Sequence, residues 1–159
     1  RHISALKKSA KRTIEHHHKQ DKGNLFITPI VFEIDSINQI DEENFGPILH
    51  FIRYKNENLQ QVIDEINDTG YGLTMGVHSR IVSKARRIFE AANVGNFYFN
   101  RDIVGAVVGV QPFGGQGLSG TGPKAGGPGY LYNFVTEKTY TDNVMATGGN
   151  IELLIKNAM

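Results

Sequence analysis

Glu43 and Phe45 stand together just before a segment with the composition of a β-strand. They belong to the pentapeptide Glu-Asn-Phe-Gly-Pro at 43–47, and the strand-like residues begin at Ile48. A carboxylate at the mouth of a strand can accept hydrogen bonds from both hydroxyls of a ribose. An aromatic ring two residues later faces the same side and can support a flat ring. From spacing alone, however, a surface turn redirected by Gly-Pro is the better interpretation.

The second candidate region is rich in glycine. Ten of the eighteen glycines fall between Gly105 and Gly129, and so long a stretch without regular structure is usually functional in a compact domain. Its apolar side chains favour an ordered loop. The literal G-x-G-x-x-G match at 115–120 has no strand before it and no helix after it, so we reject a Rossmann nucleotide site there.

Thiol and metal chemistry are not indicated. The chain contains no cysteine, which excludes disulfides, thiolate zinc sites and a cysteine nucleophile within it. The three consecutive histidines at 16–18 would point about 100° apart on a helix and cannot converge on one ion. An exposed helix end is the better interpretation, and we predict no metal site.

Composition indicates one ordinary globular domain. Hydrophobic residues make up 40% and charged residues 21%, and the net charge of +1 gives no long-range field that would attract nucleic acid or an anionic membrane. No apolar run approaches the roughly 20 residues that span a bilayer, and the basic start is not followed by the apolar segment of a signal peptide. We expect a cytoplasmic protein without a nucleic-acid partner.

Hydrophobic periodicity predicts an α/β fold. The predicted helices cover 3–15, 59–66 and 81–92, and the predicted strands cover 26–34, 48–54, 73–78 and 97–99. Ser79 is expected to cap the last helix, whose buried face would be Ile81, Ala85, Ile88, Phe89 and Ala92. This order implies βαβ units in a mainly parallel sheet. Sites in such sheets gather at the carboxyl ends of strands, so we look just after Asn100 and just before Ile48.

Three segments then resemble the aldehyde dehydrogenase superfamily in order and spacing. They are Glu-x-Phe-Gly-Pro at 43–47, Tyr-Gly-Leu-Thr-x-Gly-Val at 71–77, and the Pro-Phe-Gly-Gly-containing loop at 112–122. Each motif alone is moderately specific, and together they cover most of the chain from Phe26 to Thr141.

Further segments are similar to one branch of that superfamily. Residues 67–72, 77–80 and 104–113 resemble the glutamate-semialdehyde (1-pyrroline-5-carboxylate) dehydrogenases. Residues 124–128 and 147–150 resemble the version fused to proline dehydrogenase in the bifunctional proline utilization A family. The resemblance implies an NAD-dependent enzyme of proline catabolism that oxidises a small-molecule aldehyde, L-glutamate γ-semialdehyde.

The resemblance also assigns roles to residues. Glu43 would hold the nicotinamide ribose and Phe45 would pack beside the nicotinamide. Gly105 and Ala106 would bind the substrate α-carboxylate through backbone N–H groups, since glycine permits close approach and consecutive N–H groups can form an anion site. Phe113 would pack on the aliphatic part of the substrate. A plain turn glycine at 105 and a core aromatic at 113 are the structural alternatives.

The resemblance places the reacting groups elsewhere. In the family, the nucleophilic cysteine, the base glutamate and the Rossmann domain precede the Glu-x-Phe-Gly-Pro motif, whereas only 42 residues precede Glu43 here. We therefore expect a piece of a longer polypeptide, with no catalytic residue in this chain and no activity on its own. FAD is expected only in a proline dehydrogenase part outside it.

We expect two parts within the chain. Residues 1–134 would be a partial catalytic domain, and 135–159 a C-terminal β arm and tail. Val135–Thr141 is β-branched and polar on both sides, which suits a strand that pairs with another chain in a homo-oligomer.

Two other functions stay open from the sequence. One is an aldehyde dehydrogenase for a different aldehyde, such as succinate semialdehyde. The other is a non-catalytic, self-associating α/β module that uses the Val135–Thr141 strand.

Overall fold

The computed structural model describes residues 1–16, 27–107 and 109–143. Its helices are α1 (His2–Ser9), α2 (Leu59–Asp68) and α3 (Val82–Ala91). Its strands are β1 (Arg12–Glu15), β2 (Ile30–Glu33), β3 (Ile48–Phe51), β4 (Tyr71–Gly72), β5 (Thr74–Val77), β6 (Asn96–Phe99) and β7 (Gln116–Gly117). Short 3₁₀ turns cover Ile37–Gln39, Asn56–Asn58 and Tyr130–Phe134.

The first sheet has the order β1-β2-β3 and packs against α1. β2 runs parallel to β3 and antiparallel to β1. Leu6 of α1 meets Ile30, Phe32 and Ile34 in a core whose members are each at most 2% exposed. Burial of these apolar side chains is what holds the helix on the sheet.

The predicted helix over 3–15 is wrong beyond Ser9. Ala10 is extended, with φ −72° and ψ 144°, and residues 12–15 pair with β2 instead. The ladder to β2 satisfies the backbone of this β-branched segment, and that tertiary pairing overrides the weak helical period.

The second layer is a βαβ unit made by β5, α3 and β6. β5 and β6 pair in parallel, as predicted. Ile88 of α3 packs with Leu59 and Ile63 of α2 in a second core cluster. α2 ends just before Gly70, whose φ of +74° is the left-handed conformation that commonly follows a helix.

The predicted buried face of α3 is correct only in part. Ala85 and Ile88 are buried and Ala92 is half-buried, but Ile81 and Phe89 are each 58% exposed. Its buried Ile88 packs on α2 and on the β5–β6 pair, so the enclosed stripe of the helix is narrower than expected. The predicted cap at Ser79 is wrong: Ile81 is the N-cap of α3 and makes no side-chain cap hydrogen bond, because Ser79 lies in the preceding turn, where its hydroxyl accepts from the Ile81 N–H at 3.0 Å.

The α/β class is confirmed, but the described strands do not form one mainly parallel sheet. They form three small sheets, and the third pairs β4 antiparallel with β7. The reason is that β1 and β7 belong to segments that fold back antiparallel onto β2 and β4, so only β2–β3 and β5–β6 are parallel pairs among the described strands.

The strand predicted at Val135–Thr141 does not form within this chain, where the segment is exposed and has no regular secondary structure. An isolated extended segment becomes a strand only when it hydrogen-bonds to a neighbouring strand, and this segment pairs with none of the described strands. Its use as an arm that pairs with another chain stays a prediction, as does the division at residue 134. The motif at 147–150, Phe26, His17, His18 and Val108 lie outside the described residues.

Candidate functional site

A cavity of about 500 Å³ lies beside Glu43, at the start of β5. Residues 71–75 form one wall, Val94 stands just before β6, and Ser119 comes from the glycine-rich loop. Ile37 and Ile66 complete the lining. The cavity is therefore a mainly apolar recess with one carboxylate at its rim, which is the common composition of a small-molecule site.

Glu43 and Phe45 lie on an exposed turn ahead of β3. Glu43 is exposed and Phe45 is 88% exposed, so neither side chain serves the core. The turn itself is fixed, because the Ile30 N–H of β2 donates to the Pro47 carbonyl at 3.0 Å. An acceptor for hydroxyls and an uncovered ring thus stand on an anchored segment, which fits a ligand that has a ribose and a flat ring.

The glycine strap, residues 105–129, begins beyond the carboxyl end of β6. Gly105 has a φ of +59°, the left-handed region that favours glycine, and nothing lies within 4 Å of where a Cβ would stand. Its carbonyl accepts a hydrogen bond from the Tyr98 hydroxyl at 3.0 Å. Gly105 is exposed and Ala106 is half-buried, so the backbone here can be approached from solvent.

The middle of the glycine strap is attached to the amino-terminal end of β6. Asn96 donates to the Pro112 carbonyl at 2.9 Å and accepts from the Gly114 N–H at 3.1 Å. Phe113, between them, exchanges two backbone hydrogen bonds with Ala125, each 3.0 Å long. The Phe113 side chain is half-buried, and its role as a wall of the substrate pocket stays a prediction.

The glycine strap then reaches the cavity beside Glu43. Ser119 accepts a hydrogen bond from the Gly72 N–H at 3.1 Å, and the Leu118 N–H donates to the Gly70 carbonyl at 2.9 Å. The strap thus crosses from the carboxyl end of β6 to its amino end. Glu43 and Ser119 both line this cavity.

Gly105 is not part of the lining of that cavity. We expected sites at the carboxyl ends of strands. Gly105 does follow the carboxyl end of β6. The cavity beside Glu43, however, lies at the amino ends of β5 and β6. The difference arises because the strap runs along the strand pair and carries residues to both ends. The expectation that Glu43 and Gly105 face one common cavity stays a prediction.

Within the part of the chain that the structure describes, His50 and Lys11 have shifted pKa values, and both lie outside this region. Burial, reinforced by neighbouring His2, lowers the pKa of His50. A hydrogen bond and the charge of Asp35 raise the pKa of Lys11.

Residues 1–16, 27–107 and 109–143 contain neither a membrane-spanning helix nor a cluster of metal ligands. Over these ranges no helix has the length and apolar character needed to cross a bilayer. Nor do three His, Cys, Asp or Glu side chains of the described part group closely enough to hold a metal ion.

Sequence reasoning missed Asn96 and Ser119. Asn96 is buried, 8% exposed, and Ser119 is half-buried. The available signal for Asn96 was its position two residues before Tyr98, on the buried face of a strand where a polar side chain needs a partner. Ser119 gave no such signal, because it lies in a loop.

The chain was compared with known families and structures. A model described as the aldehyde dehydrogenase family matches residues 2–140. The bifunctional protein PutA of Klebsiella aerogenes is 45% identical over 144 residues, which cover 87% of this chain and 11% of that protein. The chain therefore spans about a tenth of the length of this relative.

Solved structures give the same family. A structure of proline utilization A with proline bound in remote sites is 52% identical, with a TM-score of 0.80, over 91% of this chain and 15% of that one. A 1-pyrroline-5-carboxylate dehydrogenase from Thermus with bound NAD is 43% identical, with a TM-score of 0.68, over 83% and 25%. With a family match over residues 2–140, the chain belongs to the aldehyde dehydrogenase family.

Proposed function

We propose that this chain is part of an NAD-dependent enzyme that oxidises L-glutamate γ-semialdehyde to L-glutamate in proline catabolism. One observation carries the proposal: 91% of the chain resembles proline utilization A, and 83% of it resembles a 1-pyrroline-5-carboxylate dehydrogenase that was solved with NAD. The parent polypeptide is then a bifunctional protein of the PutA type. Its FAD belongs to a proline dehydrogenase part outside this chain.

The role of Glu43 and Phe45 is to position the cofactor. The exposed carboxylate at the cavity rim accepts hydrogen bonds from the nicotinamide ribose, and the uncovered Phe45 ring packs beside the nicotinamide. Bound NAD supplies the hydride acceptor. Fixing its ring before the reaction saves orientation entropy, which is a large part of what such a site contributes.

The first part of the glycine strap positions the substrate. The exposed backbone at Gly105 and Ala106 offers N–H groups to the α-carboxylate, and the left-handed φ of Gly105 turns the chain so that a ligand can approach closely. Phe113 packs on the aliphatic carbons between the carboxylate and the aldehyde. These backbone and aromatic contacts together favour a substrate with a carboxylate at one end and an aldehyde at the other.

The reacting groups come from the remainder of the parent polypeptide. This chain has no cysteine and so supplies no thiolate. We propose that the parent works in the cytoplasm as a homo-oligomer and that Val135–Thr141 pairs with a second subunit there.

NADH formation by the full-length parent tests the proposal. We expect a kcat/KM for glutamate semialdehyde that exceeds the value for butanal, an aldehyde without a carboxylate, by about tenfold or more, since a site built for a polar group rejects an analogue that lacks it. The 159-residue chain assayed alone should form no NADH. A parent that prefers succinate semialdehyde would point to a different aldehyde, and turnover by the isolated chain would contradict the assignment of the nucleophile to the missing part.

A further inference from the structure

The Phe113 segment is held from both sides by one buried amide. Asn96 lies at the first position of β6 and is 8% exposed. Its Nδ2 donates to the carbonyl before Phe113, at Pro112, over 2.9 Å. Its Oδ1 accepts from the N–H after Phe113, at Gly114, over 3.1 Å.

This arrangement leaves the Phe113 backbone little freedom. Phe113 itself pairs with Ala125 through two further hydrogen bonds, each 3.0 Å long. Lys124, next to Ala125, donates to the Gly95 carbonyl, so the partner segment is also attached beside Asn96. The ring of Phe113 is therefore displayed from a backbone whose neighbours on both sides are bonded to the start of β6.

An amide side chain suits this position. It offers a donor and an acceptor at once, as the carbonyl of Pro112 and the N–H of Gly114 require. Asp would lose the donor and Ala would lose both groups, which leaves the backbone groups of the half-buried Pro112 and Gly114 without these partners, at a cost in free energy.

We infer that Asn96 is a positioning residue for the aldehyde substrate, acting through Phe113. This inference rests on the proposed function, in which Phe113 packs on the substrate stem. Loss of the Asn96 amide should let the strap relax and should weaken substrate binding. The chemical step should change little, because the reacting groups lie on other segments.

Asn67 offers a matched control. Its side chain also donates to one backbone carbonyl, at Ala91 over 2.9 Å, and accepts from one backbone N–H, at Asn93 over 2.8 Å. It joins α2 to the turn before β6. Replacing Asn67 therefore removes the same kind of bonds without touching the segment around Phe113.

The test is a steady-state comparison of the full-length parent with its Asn96→Ala, Asn96→Asp and Asn67→Ala variants. We expect Asn96→Ala to raise KM for glutamate semialdehyde about tenfold while kcat and KM for NAD stay within about twofold. Asn96→Asp keeps the acceptor for Gly114 but sets a carboxylate oxygen opposite the Pro112 carbonyl, so it should also raise this KM, and it tests the inference if the alanine variant does not fold. Asn67→Ala should leave KM for the aldehyde unchanged.

Unchanged aldehyde KM in both Asn96 variants, or an equal rise in Asn67→Ala, would overturn the inference. Amide hydrogen exchange of the same proteins separates it from the proposed function. Faster exchange at Phe113 and Gly114 in Asn96→Ala only would support the anchoring itself. If the wild-type parent does not oxidise glutamate semialdehyde, the proposed function is wrong. If amide exchange at Phe113 and Gly114 is unchanged in Asn96→Ala, the anchoring is refuted as well.

Discussion

The Nε2 atoms of His2 and His50 lie 2.9 Å apart and join α1 to β3 through a side-chain hydrogen bond. The two rings meet edge to face, with centroids 5.1 Å apart. One imidazole must donate and the other must accept, so at least one ring has to be neutral. The contact between the first helix and the first sheet therefore depends on protonation.

This contact predicts a pH-dependent stability. Burial, then the charge of His2, lowers the pKa of His50 from 6.5. Between that lowered pKa and 6.5 the unfolded chain binds more protons than the folded chain, so the free energy of unfolding falls as the pH falls through this window. Urea unfolding from about pH 7 to about pH 5 measures the effect.

Replacement of His50 by Gln should flatten that pH dependence. His78→Gln, at an exposed histidine after β5, is the control and should keep the wild-type slope. An unchanged slope in the His50 variant would show that the imidazole pair does not set the acid sensitivity.

Gly95→Ala should disrupt the attachment of the glycine strap. A Cβ there would stand 1.8 Å from the Gly114 carbonyl oxygen and 2.7 Å from the Gly115 Cα, both backbone atoms. Such overpacking costs about 1–3 kcal/mol or more of unfolding free energy, to be measured by chemical denaturation. Gly122→Ala, where the nearest atom is 3.7 Å away, should change stability by less than about 0.5 kcal/mol. Equal effects would contradict the close approach of strap and β6.

The two phenylalanines at 32 and 45 should respond in opposite ways. Phe32 is 0% exposed, so Phe32→Ala should lower the unfolding free energy by about 3–5 kcal/mol. Phe45 is 88% exposed, so Phe45→Ala should leave stability within about 0.5 kcal/mol and weaken NAD binding by the parent. Thermal unfolding measures the stability of both variants, and NAD titration measures cofactor binding by the Phe45 variant. A large loss of stability in Phe45→Ala would show that its ring packs within the chain.

Glu43→Gln in the full-length parent should raise KM for NAD about tenfold with little change in KM for the aldehyde. The amide keeps one acceptor but loses the charge, and hydrogen bonds to a charged group are roughly twice as strong as neutral ones. Steady-state kinetics with each substrate varied in turn gives the comparison. Glu42→Gln, on the neighbouring exposed carboxylate, is the control; the prediction fails if both variants raise the NAD KM alike.

Hydrophobic periodicity predicted those helices and strands that are determined by residues close together in the sequence. α2 and α3 carry clear apolar stripes, and the β5–α3–β6 unit follows from them. The segment 12–15 could not be predicted in the same way, because its strand exists only through pairing with β2, which lies fifteen or more residues further along the chain.

The same distinction between local and long-range determinants applies to the candidate site. Exposure of Glu43 and Phe45 follows from a short polar turn closed by Gly-Pro, so it could be read locally. Asn96 and Ser119 acquire their roles only when the glycine strap lies along β6 and β4, and no period in the sequence reports where a loop will lie. The expectation that sites gather at the carboxyl ends of strands located only one half of the predicted site, because the glycine strap carries residues to both ends of β6.

A crystal structure of the full-length parent with NAD and glutamate tests the central claim most directly. We predict that the Glu43 carboxylate accepts hydrogen bonds from the nicotinamide ribose while the backbone N–H groups of Gly105 and Ala106 bind the glutamate α-carboxylate in the same cavity. Finding Glu43 and Gly105 against separate cavities, with NAD or glutamate bound away from them, would contradict the account.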